Sequence, residues 1–216
     1  MSLNKVIDVA RGELGVTESP PGSNRVKYWQ DYDPKMQGQP WCVAFLWWCF
    51  AKAGERMAFF GGGKTASCSM LLRWYKEQGL TVPVEQVQPR DIVILDFSGR
   101  QKDTQHCGIV TKTWWGADGF DRFETIEGNT ANGSGSQSNG GCVCAKTRYP
   151  SQVVGVCRPQ YKDDITGHWA EAQIRRCVER GLLKGYPDGS FGPDKPVTRA
   201  EIAVILDRLN KEDDGK

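Results

Sequence analysis

The sequence predicts an α+β domain, with N-terminal helices packed on an antiparallel sheet, followed by a small all-α helix-turn-helix unit. Three observations carry this expectation. Apolar residues recur at helical spacing as far as Gly79. Beyond it the pattern changes to short β-branched or aromatic runs separated by Gly, Asn, Asp and Ser clusters, as in strands joined by tight connections. Helical spacing then returns after Asp163. Helices first and strands later imply segregated layers and a largely antiparallel sheet.

The elements follow in order. "NKVIDVARGELG" sets Val6, Val9, Ala10 and Leu14 at helical spacing with Gly15 as a stop, predicting a helix over 3–14. "TESPPGSN" is a loop on Pro and Gly grounds, "RVKYWQDY" a short aromatic helical turn ending near Asp33-Pro34, and "KMQGQP" a second loop. Residues 41–53 are apolar around the whole circumference and Gly54 can cap them, which describes a helix buried inside a domain. Cys42 lies in its first turn. "SCSMLLRWYKEQG", with Met70, Leu71, Trp74 and Tyr75 at helical spacing, predicts a third helix beside the second.

"RDIVILDF", "HCGIVTKTWW", "RFETIEGN", "GCVCAKTRY" and "VVGVCRP" predict five strands. Residues 128–141, "GNTANGSGSQSNGG", read as a mobile loop between two of them. The boundary between domains falls near Pro159 to Asp163, giving a main domain over 1–159 and a small one over 160–216. In the latter, Ile174, Cys177, Val178 and Leu182 share one helical face, and Ile202, Ile205, Leu206 and Leu209 another. Roughly 45 residues cannot bury two such faces unaided, so this unit needs a neighbour or copies of itself.

Composition narrows the function. The chain holds 28 basic and 26 acidic residues, well mixed, for a net charge of +2, so no basic block exists to follow a nucleic acid or an anionic membrane. No apolar run reaches the roughly 18–20 residues of a membrane span, and the N-terminus lacks a signal-peptide core, which implies synthesis in the cytoplasm. Eight cysteines permit a disulfide framework, but a chain with this much apolar core does not require one, and most of them are expected to be reduced and buried. The C-x-C pair Cys142 and Cys144 is expected merely to share a strand face, and Cys49, Cys68, Cys107, Cys157 and Cys177 to pack.

Cys42 stands apart because a helix N-terminus stabilises a thiolate. Such a nucleophile needs a base, and a third group to orient the base. Of the two histidines, His168 belongs to the C-terminal unit, leaving His106 at the start of a predicted central strand. The orienting group should come from an adjacent strand, where "TIEGNT" offers Glu127 and Asn129, two residues apart and so on one face.

"PWCVAFLWW", "HCGIV" and "TIEGNT", in that order, resemble the CHAP amidase/peptidase domain, a papain-like fold of bacteriophage lysins and bacterial peptidoglycan hydrolases. The resemblance spans about residues 3–158 and implies Cys42, His106, Glu127 and Asn129 as catalytic residues. It further implies an oxyanion-hole glutamine before the cysteine, with Gln37 and Gln39 as candidates beside the Cys42 backbone N–H. The lack of a second histidine in the domain favours the Glu/Asn version over related wall peptidases that use two. The C-terminal unit resembles an S-layer homology repeat through "DITGHWAEAQI", "GLLKGYPDGSFGPDKPVTRAE" and "AVILDRL". That resemblance implies Trp169, Arg199 and Glu201 as contacts to a secondary cell-wall polymer, although Arg199 and Glu201 could equally cap a helix after Thr198. Such repeats usually work as three copies and one is present here, so self-association could supply the others.

The function expected is therefore a peptidoglycan hydrolase, endolysin-like, cutting an amide or peptide bond at the bacterial cell wall. A catalytically idle wall-binding protein anchored by its terminal repeat is the alternative, and transglutaminase-like acyl transfer a third reading. No cofactor is expected, apart from the calcium loop that Asp31 and Asp33 could form. Some of Trp41, Trp47, Trp48, Trp114 and Trp115 are expected to flank a substrate groove.

Overall fold

The computed structural model describes residues 4–116, 119–160, 165, 167–185 and 191–213. They fall into two compact units, Met1–Tyr161 and Lys162–Lys216. In the first, helices α1 (Asn4–Gly12), α2 (Lys27–Tyr32), α3 (Cys42–Lys52) and α4 (Cys68–Glu77) precede strands β1 (Thr81–Val82), β2 (Ile92–Leu95), β3 (His106–Gly116), β4 (Gly119–Thr130), β5 (Cys142–Arg148) and β6 (Val153–Cys157). The strands form one antiparallel sheet in the order β1-β6-β2-β3-β4-β5. The five strands expected from sequence are present. The sixth, β1, is a two-residue edge piece paired with β6, too short to leave a period in the sequence.

Alternation along each strand divides the sheet into two faces. Ile92, Ile94, Cys107, Ile109, Ile126 and Cys157 pack with α1, α3 and α4 in the main core. Val93, Leu95, Val110, Phe123 and Val156 form a smaller cluster with Val87 and Val153. Every residue of α3 from Cys42 to Phe50 is buried, as an all-round apolar helix requires. Its approach to the sheet depends on Gly128 in β4, where a Cβ would lie 2.6 Å from Phe45 Cβ and 2.7 Å from Trp41. The same device seats α4 on β6, because a Cβ at Gly155 would lie 2.5 Å from Leu72 Cδ1.

Three expectations change. Cys142 and Cys144 do not merely share a face but are joined in a disulfide. The 128–141 segment is hydrogen-bonded to itself and to the end of β4, through Ala131 N to Ser136 O, Thr130 Oγ1 to Gln137 O and Gln137 Nε2 to Gly133 and Gly135 O. Its glycines permit close backbone packing: a Cβ at Gly140 would lie 2.0 Å from Ala131 N. Finally, the tryptophans do not gather at one place. Trp41, Trp47 and Trp48 belong to the core, while Trp114 and Trp115 lie near the far end of β3 from His106, about 25 Å along the strand at the usual rise per residue.

In the C-terminal unit the described residues form α5 (Glu171–Glu179) and α6 (Arg199–Asp213). Ile174 and Leu182 are buried, whereas Val178, Ile202, Val204, Leu206 and Leu209 are exposed.

Candidate active site

Cys42 is the first residue of α3, where the amides of the first turn have no intrahelical acceptor. The preceding Trp41 is fixed from behind: its Nε1 donates to Oε1 of the buried Glu18 at 2.9 Å, and Glu18 Oε2 accepts from Asn24 N. Cys42 as a residue is 5% exposed, so it sits just beneath the surface.

His106 opens β3 and is fully buried. Its Nε2 lies 3.0 Å from Glu127 Oε2. Glu127 is also fully buried and takes three further hydrogen bonds, from Arg148 Nε (2.8 Å), Arg148 Nη2 (2.6 Å) and Thr125 Oγ1 (2.5 Å). The strand pairing makes room for this cluster at Gly108, where a Cβ would lie 2.6 Å from Glu127 Cγ. Burial alone would raise the Glu127 carboxyl, but Arg148 and His106 outweigh it and draw its pKa down to about 2. An ionised Glu127 only accepts, so Nε2 of His106 carries the proton. Nδ1 is then the nitrogen left for proton transfer, and among the described residues it has no hydrogen-bond partner.

Cys42 and His106 stabilise each other's charged forms. The Cys107 and Cys68 thiols, acting against burial and joined by His106, hold the Cys42 thiol well below its ordinary value of 9.0. Burial would depress the His106 imidazolium, yet Cys42 and Glu127 outweigh it and lift its pKa to about 9. A thiolate beside an imidazolium whose far nitrogen rests on a carboxylate can attack an acyl carbon and hand a proton to the leaving group. Hydrogen bonds between a catalytic base and its nucleophile often tighten only once substrate binds.

Of the two candidate orienting groups, Glu127 is the one bonded to His106. Asn129 does not share its face, because the β4–β5 register shifts between Glu127 and Thr130 and Asn129 adopts φ 61°. Asn129 is buried, donates from Nδ2 to Asn139 Oδ1 at 3.1 Å and accepts at its carbonyl from Gly140 N, so it holds the 131–141 loop. The oxyanion role considered for Gln37 is corrected. Its side chain clamps Val26, accepting from Val26 N at 3.1 Å and donating to Val26 O at 2.9 Å. Gln39 is exposed, and its carbonyl accepts from Trp29 Nε1.

Arg148 escaped the sequence reading. Its one signal was indirect: a glutamate fully buried in a strand needs a counter-charge, and Arg148 lies two residues from Lys146, which the register sets opposite Thr125. Cys68 and Cys107 were read as packing, yet their Sγ atoms lie within 4.8 Å of each other and of Cys42 Sγ. Asp31 and Asp33 take separate partners. Asp31 Oδ2 accepts from Trp48 Nε1 at 2.8 Å and pairs with Lys52 at 3.0 Å, while Asp33 Oδ1 caps Lys35 N.

In the C-terminal unit Trp169 is 86% exposed. Glu201 is committed to a capping box, its Oε2 accepting from Thr198 N while Thr198 Oγ1 accepts from Glu201 N. Arg199 follows the cap as the first residue of α6 and is exposed.

A helix-borne thiol, a strand-borne imidazole and a neighbouring carboxylate thus meet where a helix packs on an antiparallel sheet. Comparison with known proteins agrees: the chain carries a CHAP domain, matched over residues 34–129, and an S-layer homology domain, matched over 162–203. The first supports a hydrolase of the amidase or peptidase kind, and the two together fit a wall-associated protein. Relatives include the S-layer protein EA1 of Bacillus anthracis, 36% identical over 31% of this chain and 8% of its own length. The outer membrane protein SlpA of Deinococcus radiodurans is 42% identical over 32% and 6%, and a cellulosome-anchoring protein of Acetivibrio thermocellus 44% identical over 26% and 13%. The chain thus spans a small part of each of these relatives. No solved structure gives a significant match.

Proposed function

We propose that the protein is a cysteine-dependent peptidoglycan hydrolase acting at the bacterial cell wall in a lysin-like role. The observation that carries this reading is the buried relay Arg148–Glu127–His106 ending beside Cys42. The Cys42 thiolate attacks the carbonyl of a peptide or amide bond, and the His106 imidazolium gives its proton to the leaving amine. Water, activated by the now neutral Nδ1, then resolves the thioester. The first-turn amides of α3, beginning with Cys42 N–H, are suited to the oxyanion. Glu127 positions the imidazole. The S-layer homology domain supports retention on a secondary wall polymer, with Trp169 and Arg199 as the side chains available to it. The exposed apolar face of α6 supports self-association as a source of further copies.

The test is digestion of Gram-positive peptidoglycan by wild type and Cys42→Ala, with the soluble fragments identified by mass spectrometry. Wild type should release fragments of one bond type, and Cys42→Ala should lose about 10⁴-fold or more in rate. Fragments from neither, across several wall chemistries, would leave an idle binding domain as the better account.

The pH profile tests the relay separately. As pH falls through the lowered Cys42 pKa the thiolate is lost, and as pH rises through about 9 the His106 imidazolium loses the proton that the leaving amine needs. kcat/KM should therefore fall on both sides of a plateau, about tenfold per pH unit, with its alkaline limb near 9. Linkage runs the same way. Stability from His106, whose folded pKa is raised, is present below its ordinary 6.5 and lost as pH rises through about 9. Stability from Glu127, whose folded pKa is depressed, is present above 4.5 and lost as pH falls through about 2. An alkaline limb near 6.5 would sink the ion-pair relay.

A further inference from the structure

We propose that Cys42, Cys68 and Cys107 form a three-thiolate site for zinc, and that an occupied site holds Cys42 out of catalysis. The proposal rests on the reading of Cys42 as nucleophile only for its second half. The three sulfur atoms arrive from three separate elements, the first turns of α3 and α4 and the second residue of β3. All lie within 4.8 Å of one another, and Cys42 and Cys68 are 3.8 Å apart. A tetrahedral zinc with sulfur ligands at about 2.3 Å sets them about 3.8 Å apart. The spacing already present between Cys42 and Cys68 is therefore ligand spacing, and Cys107 needs a shift of no more than about 1 Å to match it.

Cys42 is held toward the thiolate, whereas Cys68 and Cys107 are pushed up, Cys107 chiefly by burial, so zinc must displace their protons as it binds. Cys42 and Cys68 are each the first residue of a helix of ten or eleven residues, so two helix N-termini point their unpaired amides and positive dipole ends at the same spot. Ser67 fixes the second helix by accepting from Met70 N at its Oγ. Cys42, Cys68 and Cys107 are 5%, 7% and 0% exposed, so water competes weakly for the ion. His106 Nδ1, buried beside Cys42 and without a hydrogen-bond partner among the described residues, or a water molecule, completes the fourth position.

The hydrolytic mechanism uses neither the Cys68 nor the Cys107 sulfur as a reacting atom, and packing alone does not require three elements to present sulfur at one point. Soft sulfur ligands select zinc over magnesium or calcium. Binding forms three metal–sulfur bonds and releases one proton from each thiol not already ionised. The lone pair by which Cys42 would attack is then held by the metal.

The test uses the full chain with its thiols reduced and the reductant removed. Zinc is titrated against a chromophoric chelator, and cobalt(II) serves as a spectroscopic probe of thiolate ligation. Wild type should bind one equivalent of zinc and show a sulfur-to-cobalt charge-transfer band. Cys68→Ser and Cys107→Ser should each lose at least about 100-fold in zinc affinity and lose the band, while Cys177→Ser should match wild type. Cys68→Ala, checked by circular dichroism for an intact fold, guards against a serine-specific defect. Wall hydrolysis by each variant is compared with its own metal-free rate: zinc should inhibit wild type and spare Cys68→Ser. Zinc affinity and cobalt spectra unchanged in Cys68→Ser and Cys107→Ser would overturn the site. So would Cys42-dependent hydrolysis that persists at saturating zinc. Binding through these cysteines in a protein that digests no wall, with or without zinc, would uphold the site and sink the hydrolase reading.

Discussion

The two units of this chain treat their apolar residues in opposite ways. In the N-terminal unit nine consecutive residues of α3 are buried, from Cys42 to Phe50. In the C-terminal unit α6 carries Ile202, Val204 and Leu206 at 44%, 48% and 53% exposure. The first unit encloses its own core and can afford a buried charge relay inside it. The second has a fold's worth of helix pattern but too few residues to cover it, as roughly 45 residues would lead one to expect. A hydrolase must hold three groups in register, whereas an attachment unit must keep surface available. That is the division of labour which the proposed function assigns to the two units.

Three substitutions sharpen or break the comparison. Arg148→Met removes the counter-charge of a fully buried carboxylate that still faces His106. It should cost about 3–5 kcal/mol in a denaturant melt, because an uncompensated buried charge is left behind. A loss below 1 kcal/mol would mean that water reaches Glu127 and that the relay is not sealed. Gly128→Ala drives a methyl against Phe45 and Trp41. It should cost about 1–3 kcal/mol and lower the hydrolytic rate more than the stability loss explains, since α3 carries Cys42 away from His106. Full activity at reduced stability would show that the helix position is not critical. Leu206→Glu places a charge on the exposed α6 face and should move the melting of the chain by no more than about 0.5 kcal/mol, while weakening any self-association seen by sedimentation. Unfolding of α6 in this variant would show that the face is covered after all.

Much of the site was legible as residue types in order. Cys42 could be read from its place at the head of an apolar helix, His106 from being the one histidine in the domain, and Glu127 from its strand. The choice between Glu127 and Asn129 was not legible. It turns on a register shift and a left-handed residue in β4, and both arise from how β5 and the 131–141 loop meet that strand. Gln37 illustrates the same difficulty from the other side. Its spacing from Cys42 suited an oxyanion donor, but its amide satisfies the backbone of Val26, eleven residues upstream.

The sequence by itself determined the main helices, five of the six strands, and that the terminal unit has more apolar face than it can bury. These are local properties: period, capping and turn chemistry act over a few residues and are written in neighbouring side chains. Tertiary structure alone decided that Arg148 grips Glu127 across 21 positions, that Cys142 closes on Cys144, and that Cys68 and Cys107 converge on Cys42. A strand pattern tells which face a side chain takes but not which strand lies beside it. Only the order and register of the sheet set those distances, and with them the chemistry.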